Sequence, residues 1–574
     1  MLHREKVADL LDDIAMLLEL KGENPFKIRA YQMAAAAVKN MDQDIEAVID
    51  AGRLEDVKGI GKAIAANIIE YVKSGRSSYH EEMKASIPSV IFELVAIPGL
   101  GPKKAFILQE RLGIDSVGEL EYACRENRLV GLPGFGEKTQ QKILQGIEYV
   151  KKFKGQFLLV DTWPVAAKIA EYLQAHEAVQ VAEVAGSIRR RKEIVKDIDI
   201  TAAALDREAA AEAVVSMPGV TEVTAKGSTK VSVTLSTGTK LDVRIVETAE
   251  YASTLHHFTG SQQHHIQLRG LAKEKGYVLS EYGLETSEGK RLQPQSEQEL
   301  YQILGLPYIE PELREGLGEI EAAAAGRLPR LVAEQDLRGV FHVHTHYSDG
   351  SDTLQDMAAA AKARGWQYLG IADHSQTAVY AKGLKPDRVR EQQRIIDAMN
   401  SADPAFRILS GIESDILPDG SLDYPDEILA GFDFVVASVH SAFRQSEADM
   451  TRRIIKALNN KYVTMLGHAT GRILLAREGY AVDLPAILRS AAETGTVLEI
   501  NASPYRLDLD WRWHRQAKEL GAMFAINPDA HAVDELDYVK YGTAMARKGW
   551  LGAGDIINTR NAQEVIQLLN RKRK

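Results

Sequence analysis

The chain of 574 residues has one cysteine, Cys124. That excludes an internal disulfide and a thiolate metal cluster, and it fits a reducing cytoplasm. No apolar run is long enough to span a bilayer. The first residues, MLHREKVADLLDDIAMLLEL, read as an amphipathic helix of mixed charge rather than a signal peptide. Net positive charge is lacking too: a formal charge of -10 excludes a uniformly basic nucleic-acid coat but leaves local basic grooves open. What remains is the composition of a soluble globular protein, 45% hydrophobic and 26% charged, too long for one core and predicting about three to five domains.

The front of the chain repeats one device. VKGIGKAIAANIIEYV (57–72), IPGLGPKKAFILQERL (97–112) and LPGFGEKTQQKILQGI (132–147) each set a Gly-x-Gly turn before an amphipathic helix. The pairs are Gly59 and Gly61, Gly99 and Gly101, Gly134 and Gly136, followed within two residues by Lys62, Lys103 and Lys138. Such glycines leave free amide N–H groups at a positively polarised helix start, which can grip phosphate without reading a base. One copy alone could be a tight inter-helix turn; three copies with a lysine resemble helix-hairpin-helix motifs, which hold DNA by its backbone.

In the middle, VQVAEVAG (179–186) reads as a strand, and DIDITAAA (197–204) as a second one. Asp197 and Asp199 lie two apart and therefore on one face. VSVTLSTGTKLDVRIVE (231–247) reads as a hairpin with Asp242 near the start of its second strand. On its own D-x-D fits the solvent face of an edge strand. Three carboxylates on neighbouring strands repel one another unless cations neutralise them, a set suited to two Mg²⁺ ions. GSIRRRK (186–192), leading into the acidic pair, offers Gly186, Ser187 and Arg190 as phosphate donors.

G-S-x-R-R, D-x-D, the Asp of KLDVRIV and then HFTGS together resemble the DNA polymerase X family, whose best-known member is polymerase β. FTGSQQHHIQLRGLAKEKGYVLSEYGL (258–284) continues the likeness. The resemblance implies that Asp197, Asp199 and Asp242 hold two metals and carry catalysis, while Gly186, Ser187 and Arg190 bind the triphosphate. It places Phe258 and Gly260 at the sugar side of the pocket, and Lys230 and Arg269 toward DNA. Departures from the family pattern are His257 in place of a common Tyr, Gln262 and His265 in place of an Asp and an Asn of polymerase β, and Asn67 in AIAANIIEY in place of its Schiff-base lysine. An amide cannot form an imine, so no deoxyribose-phosphate lyase of that type is expected at Asn67; Lys62 lies nearby.

Farther on, GVFHVHTH, YLGIADH, RILSGIESDI, FDFVVASVHS, VTMLGHAT, VLEINAS and MFAINPDAH alternate with helical stretches, which suggests a parallel barrel. Nearly every run ends in a metal-capable residue: His342 and His344, His374, Glu413, His440, His468, then Asp529 and His531, with Asp349 in the SDG turn. Any of these histidines alone would be an ordinary packing residue; their recurrence at strand ends indicates a hydrolytic metal cluster. H-x-H, SDG, DH, E, H, H and D-x-H resemble the PHP (polymerase and histidinol phosphatase) domain over roughly 338–574. That likeness implies three ions, Mn²⁺ or Zn²⁺, and 3′–5′ exonuclease activity when joined to a bacterial family X polymerase. His346 has the parity of His344 but lies past the strand, a rim residue. Arg506 and the DWRWH aromatics offer a weak case for DNA contact, Trp511 and Trp513 fitting a packed barrel helix better; His514 has no strand-end context. The tail RKRK (571–574) reads as a solvated charge run.

The expectation is a multidomain α/β chain: helical DNA-binding residues 1–85, helix-hairpin-helix residues 86–153, a nucleotidyltransferase palm at 154–250, a thumb at 251–322, an Ala- and Glu-rich linker at 323–337, and a distorted (β/α)₇ PHP barrel at 338–574. The resemblances imply a cytoplasmic, nucleoid-associated monomer that fills short gaps in primed or gapped double-stranded DNA from dNTPs with Mg²⁺, trims 3′ ends, and has no membrane partner. Two rivals are a PHP phosphatase of a small phosphorylated metabolite with a non-catalytic front, and a non-catalytic DNA-binding scaffold.

Overall fold

The computed structural model describes residues 2–573 apart from 40, 42–44, 126–127, 131, 154 and 476. It divides into two compact units, Met1–Lys154 and Gly155–Lys574.

The first unit is helical. Its opening helix, Leu2–Leu20, buries Val7, Leu11, Ile14 and Leu18 at three- and four-residue spacing against Pro25–Lys39. Helices Lys62–Ser74, Pro102–Leu112 and Glu137–Phe153 each begin right after the second glycine of a pair. In all three pairs the first glycine is left-handed, with φ +103° at Gly59, +87° at Gly99 and +85° at Gly134. That conformation is open to glycine and costly for other residues.

In the second unit, strands β1 (Val179–Val184), β2 (Asp197–Ala204), β3 (Val220–Lys226), β4 (Lys230–Leu235) and β5 (Lys240–Val246) form one sheet in the order β1-β2-β5-β4-β3. Ile198 and Ile200, Val231 and Val233, and Leu241, Val243 and Ile245 turn into the core beneath helices Leu159–Gln174 and Arg207–Val215. Period-two alternation therefore commits Asp197, Asp199, Ser232 and Asp242 to the opposite face. The β4–β5 turn runs through Thr237 and left-handed Gly238, where a hairpin was expected. The following helices and a three-stranded antiparallel sheet (277–292) pack around Leu268, Leu284, Leu300, Tyr301 and Leu304.

Beyond these lies a nearly closed seven-stranded parallel barrel: β6 (Gly339–Val343), β7 (Tyr368–Ile371), β8 (Arg407–Asp415), β9 (Phe434–Ser438), β10 (Met465–Leu466), β11 (Val497–Asn501) and β12 (Phe524–Asn527), in sequential order. Each strand falls within one of the seven runs read from the sequence. The His344 amide donates to the Ala530 carbonyl at 2.8 Å, joining the first strand to the segment after the last. The strands are buried on both faces, as parallel barrels require. The 323–337 stretch packs on this barrel rather than running free: Val332 is buried and its amide donates to Leu551. The tail is likewise not simply solvated, because Lys572 Nζ donates to the Leu458 and Val463 carbonyls and to Thr496.

Candidate active sites

On the palm sheet, β2 and β5 run parallel with Asp199 directly beside Asp242. Gly186 opens a short turn of helix just past β1, with φ +59°, and a Cβ there would lie 2.0 Å from an Asp199 carboxylate oxygen. Only glycine admits the aspartate at that spot. Burial, then the neighbouring charges of Asp197 and Asp242, push the Asp199 carboxyl up to about 7. Burial acts the same way on Asp242, but Lys230 Nζ at 2.7 Å and Ser232 Oγ at 2.6 Å outweigh it and hold this carboxyl below its ordinary range. The trio thus concentrates negative charge, and its all-oxygen donor set fits hard divalent cations.

Arg190 reaches across to the Thr259 carbonyl, and its Nε donates to Glu315 at 3.2 Å. Arg189 donates to Thr259 Oγ1 and to Glu297, each at 2.7 Å. Gly260 has φ +72°, and a Cβ there would come within 2.9 Å of the Arg190 guanidinium. Phe258 carries Arg244 over its ring at 4.5 Å. His257 stacks on His265 with ring centroids 4.9 Å apart, and burial depresses the basicity of both. Ser187 follows Gly186 in the same turn, and Arg269 is exposed on helix Gln262–Glu274.

In the barrel, nine sequence-predicted residues meet at the C-terminal ends of the strands. His344, Asp349, His374 and His531 form one group with ligand atoms within 4.8 Å of one another; His342, His344 and Asp529 form a second, and His374, Glu413 and His440 a third. His468 Nε2 joins through Glu413 at 3.0 Å. Among the described residues, His342 Nε2 and both ring nitrogens of His344 are buried without a hydrogen-bond partner. Orphaned imidazole nitrogens facing carboxylates fit divalent metals well. His342 and Asp529 hold left-handed backbone, φ +56° and +53°, a strained conformation of the kind found at functional sites. In the SDG turn, a Cβ on Gly350 would strike the His344 and Thr345 backbone at 2.7–2.8 Å.

Electrostatics differ sharply from one histidine to the next. Burial, with His531 and His374 close by, drives His344 down to about 3. Burial also opposes charge on His342, His374 and His531, but adjacent carboxylates win: His342 rises well above its usual value, His374 to about 10 and His531 to about 9. Asp349, Glu413 and Asp529 fall well below the ordinary carboxylate range, the nearby imidazoles outweighing their burial.

Several buried carboxylates behind this cluster escaped the sequence reading. Glu499 pairs with His342 Nδ1 at 2.6 Å and accepts from the His468 amide and from Asn501 and Asn527. Asp415 pairs with His440 Nδ1 at 2.6 Å. Asp373 accepts from Thr345, Ser348 and Gln392, fixing the loop after β6. Their signal was a carboxylate within or next to an apolar strand, in VLEINAS, GIESDI and YLGIADH. Arg506 Nε lies 3.7 Å from Asp529, beside the cluster. His346 is exposed against Tyr347. Trp511 is buried in a 3₁₀ turn and donates to Glu193 of the palm, while His514 is buried against the Leu509 carbonyl.

In the first unit a Cβ added to Gly61, Gly101 or Gly136 would meet nothing within 4 Å among the described residues, so the second glycine of each pair borders open space. Asn67 donates to the Tyr31 hydroxyl at 2.9 Å.

Comparison with known proteins divides the chain in the same order. The helix-hairpin-helix domain family matches residues 3–77, the SAM-like helix-hairpin-helix tandem 91–148, the DNA polymerase beta thumb 254–315 and the PHP domain 341–503. A DNA polymerase/3′-5′ exonuclease PolX of Bacillus subtilis (strain 168) is 39% identical over 573 residues, covering 99% of this chain and all of the relative. Probable phosphatases of Thermoanaerobacter sp. (strain X514) and Caldanaerobacter subterraneus are each 27% identical; they span 41% and 42% of this chain and 96% and 94% of their own length.

Proposed function

Since the chain belongs to the bacterial family X DNA polymerases that carry a 3′–5′ exonuclease PHP domain, we propose a division of labour in which the palm extends a primer in gapped DNA and the barrel removes 3′-terminal nucleotides. Both activities depend on divalent cations and act on DNA. The palm reading rests above all on the Asp199–Asp242 pair lying against a glycine that no other residue could replace.

In the palm, Asp197, Asp199 and Asp242 would hold two Mg²⁺ ions, which supply acidification of the primer 3′-hydroxyl and stabilisation of the leaving pyrophosphate. Asp242, steadied by Lys230 and Ser232, takes the hydroxyl proton. Arg190, Ser187 and the Gly186 amide hold the triphosphate, with Phe258 and Gly260 beside the sugar. In the barrel, the three residue groups and His468 would hold Mn²⁺ or Zn²⁺, which supplies activation of a water against a 3′-terminal phosphodiester. Glu499 and Asp415 orient His342 and His440, and Arg506 is placed to receive a phosphate oxygen. The glycine pairs with Lys62, Lys103 and Lys138, together with Lys230 and Arg269, hold the DNA. The enzyme works as a monomer on the nucleoid, with the domain bounds given from sequence. A phosphatase reading accounts for the barrel alone and leaves the palm trio without a task.

The test is a labelled, gapped primer-template incubated with Mg²⁺ or Mn²⁺, with and without dNTPs. Asp197→Ala should lower extension by about 10³-fold or more while sparing 3′ hydrolysis, and His344→Ala should do the reverse. Extension that survives Asp197→Ala, or hydrolysis that survives His344→Ala, refutes the respective assignment.

A further inference from the structure

Lys548 ends helix Val539–Lys548 of the barrel, and its side chain has no solvent exposure. An ammonium is costly to bury unless its donors are engaged. Here Nζ donates to the Arg190 carbonyl at 2.8 Å and to Glu315 Oε1 at 2.7 Å, and it lies 4.6 Å over the Trp511 ring. The same Glu315 oxygen accepts from Arg190 Nε at 3.2 Å, and the other lies 3.7 Å from Lys192 Nζ. One carboxylate of the thumb segment therefore joins a barrel lysine to the palm arginine assigned to the triphosphate.

The contact bears on orientation as well as charge. Arg191, next in the chain, is left-handed with φ +55°, so the Arg190 carbonyl that Lys548 holds sits at the entrance of a constrained turn. Two residues on, Glu193 accepts from Trp511 Nε1 at 3.2 Å and from Arg512 at 3.1 Å. Barrel groups thus grip the 190–193 loop at both ends. On the barrel side the helix end packs closely on its neighbour, since a Cβ on Gly549 would come within 2.3–2.6 Å of His514.

We infer that Lys548 is a positioning residue for nucleotide addition, setting the Arg190 guanidinium through Glu315 and the Arg190 carbonyl, so that the barrel domain completes the polymerase's triphosphate site. The inference rests on the reading of Arg190 as a triphosphate ligand. An apolar side chain would fill the same space beside Trp511; the ammonium adds a link that packing does not need.

The experiment uses the full-length protein with Lys548→Met in single-nucleotide gap filling at varied dNTP. The dNTP KM should rise about tenfold, the effect of losing a hydrogen bond to a charged group. kcat, and nucleotide release from the 3′ end without dNTP, should stay at wild-type values. Glu315→Gln should do the same, and the double variant should be no worse than the worse single one. Arg190→Ala is the reference. If it raises KM and Lys548→Met does not, the positioning role is wrong; if Arg190→Ala leaves KM unchanged, the triphosphate assignment falls and takes this inference with it. Parallel loss of both activities with a lower melting temperature would show a merely structural lysine and overturn the proposal. Should Lys548→Met not fold, the KM–kcat split of Glu315→Gln decides alone.

Discussion

In the palm, three aspartates share one sheet face with the Lys230 ammonium on Asp242, while in the barrel three carboxylates are interleaved with six histidines. The palm keeps its repulsion, which together with burial lifts the Asp199 carboxyl to about 7. The barrel distributes charge between partners, so its carboxylates stay ionised although Glu413 is deeply buried and Asp529 mostly so. An all-oxygen set awaiting charge suits a hard ion that comes and goes with substrate. A nitrogen-rich set that is already paired suits ions held as part of the fold.

The strongest way to break the comparison exploits a glycine in each half. Gly186→Ala drives a methyl group into the Asp199 carboxylate, and Gly350→Ala drives one into the backbone of His344 and Thr345. Each should cost about a hundredfold, the penalty of displacing a reacting group by about an ångström. Gly186→Ala should lower extension alone and Gly350→Ala hydrolysis alone, as the gapped-substrate assay would read directly.

Support behind the ligands should separate the halves next. Glu499→Gln removes the negative charge beside His342 and leaves one acceptor oxygen where two served His342, the His468 amide, Asn501 and Asn527. It should raise the Mn²⁺ concentration needed for hydrolysis by about 10- to 100-fold. In the palm Ser232 makes a comparable hydrogen bond to Asp242, but Lys230 backs the same carboxylate, so Ser232→Ala should cost only about threefold in extension. Equal losses from the two variants would remove the distinction between a pre-built centre and one assembled with substrate.

Protons compete with cations differently at the two centres. Asp199, lifted to about 7 first by burial and then by Asp197 and Asp242, must be ionised to bind a cation. One pH unit below that value leaves about a tenth of it ionised. The Mg²⁺ requirement for extension should be about tenfold higher at pH 6 than at pH 8, levelling off above. In the barrel the carboxylates are ionised throughout, while His374 and His531, raised to about 10 and about 9, extend the fall in metal requirement toward pH 9. A carboxyl raised on folding stabilises below its ordinary value of 3.8 and loses that contribution as pH rises through 7. With chelator present, Asp199→Asn should therefore raise the melting temperature at pH 8 and not at pH 4.

What could be read from the sequence was whatever repeats locally. One metal-capable residue at each strand end, a D-x-D on one face and a Gly-x-Gly before each helix are short-range patterns, and they located the palm trio, the barrel cluster and the three helix starts. Glu499 and Asp415 stayed hidden because a carboxylate within an apolar strand shows its purpose only when the histidine of another strand arrives. Lys548 was hidden more deeply, since its partner Arg190 lies 358 residues earlier. The 323–337 stretch reads as a linker by composition, yet Val332 pairs with Leu551 across the barrel surface; alanine and glutamate frequencies carry no trace of that docking.

The smallest expected effect asks what the two centres share. Pro102 and Lys103 open a helix behind a left-handed Gly99, and Gly101 borders open space. A phosphate held there is gripped without regard to sequence and without regard to which active site uses the DNA. On the proposed reading Lys103 makes one phosphate contact, so with Lys103→Ala DNA affinity should fall about threefold near physiological salt, and the slope of log affinity against log salt should drop by about one. Because the grip precedes the choice between extension and trimming, both activities should fall in the same proportion at limiting DNA and recover together at saturating DNA. A loss confined to extension would tie this hairpin to the palm alone, and the two centres would then differ in how they hold DNA as well as in how they hold charge.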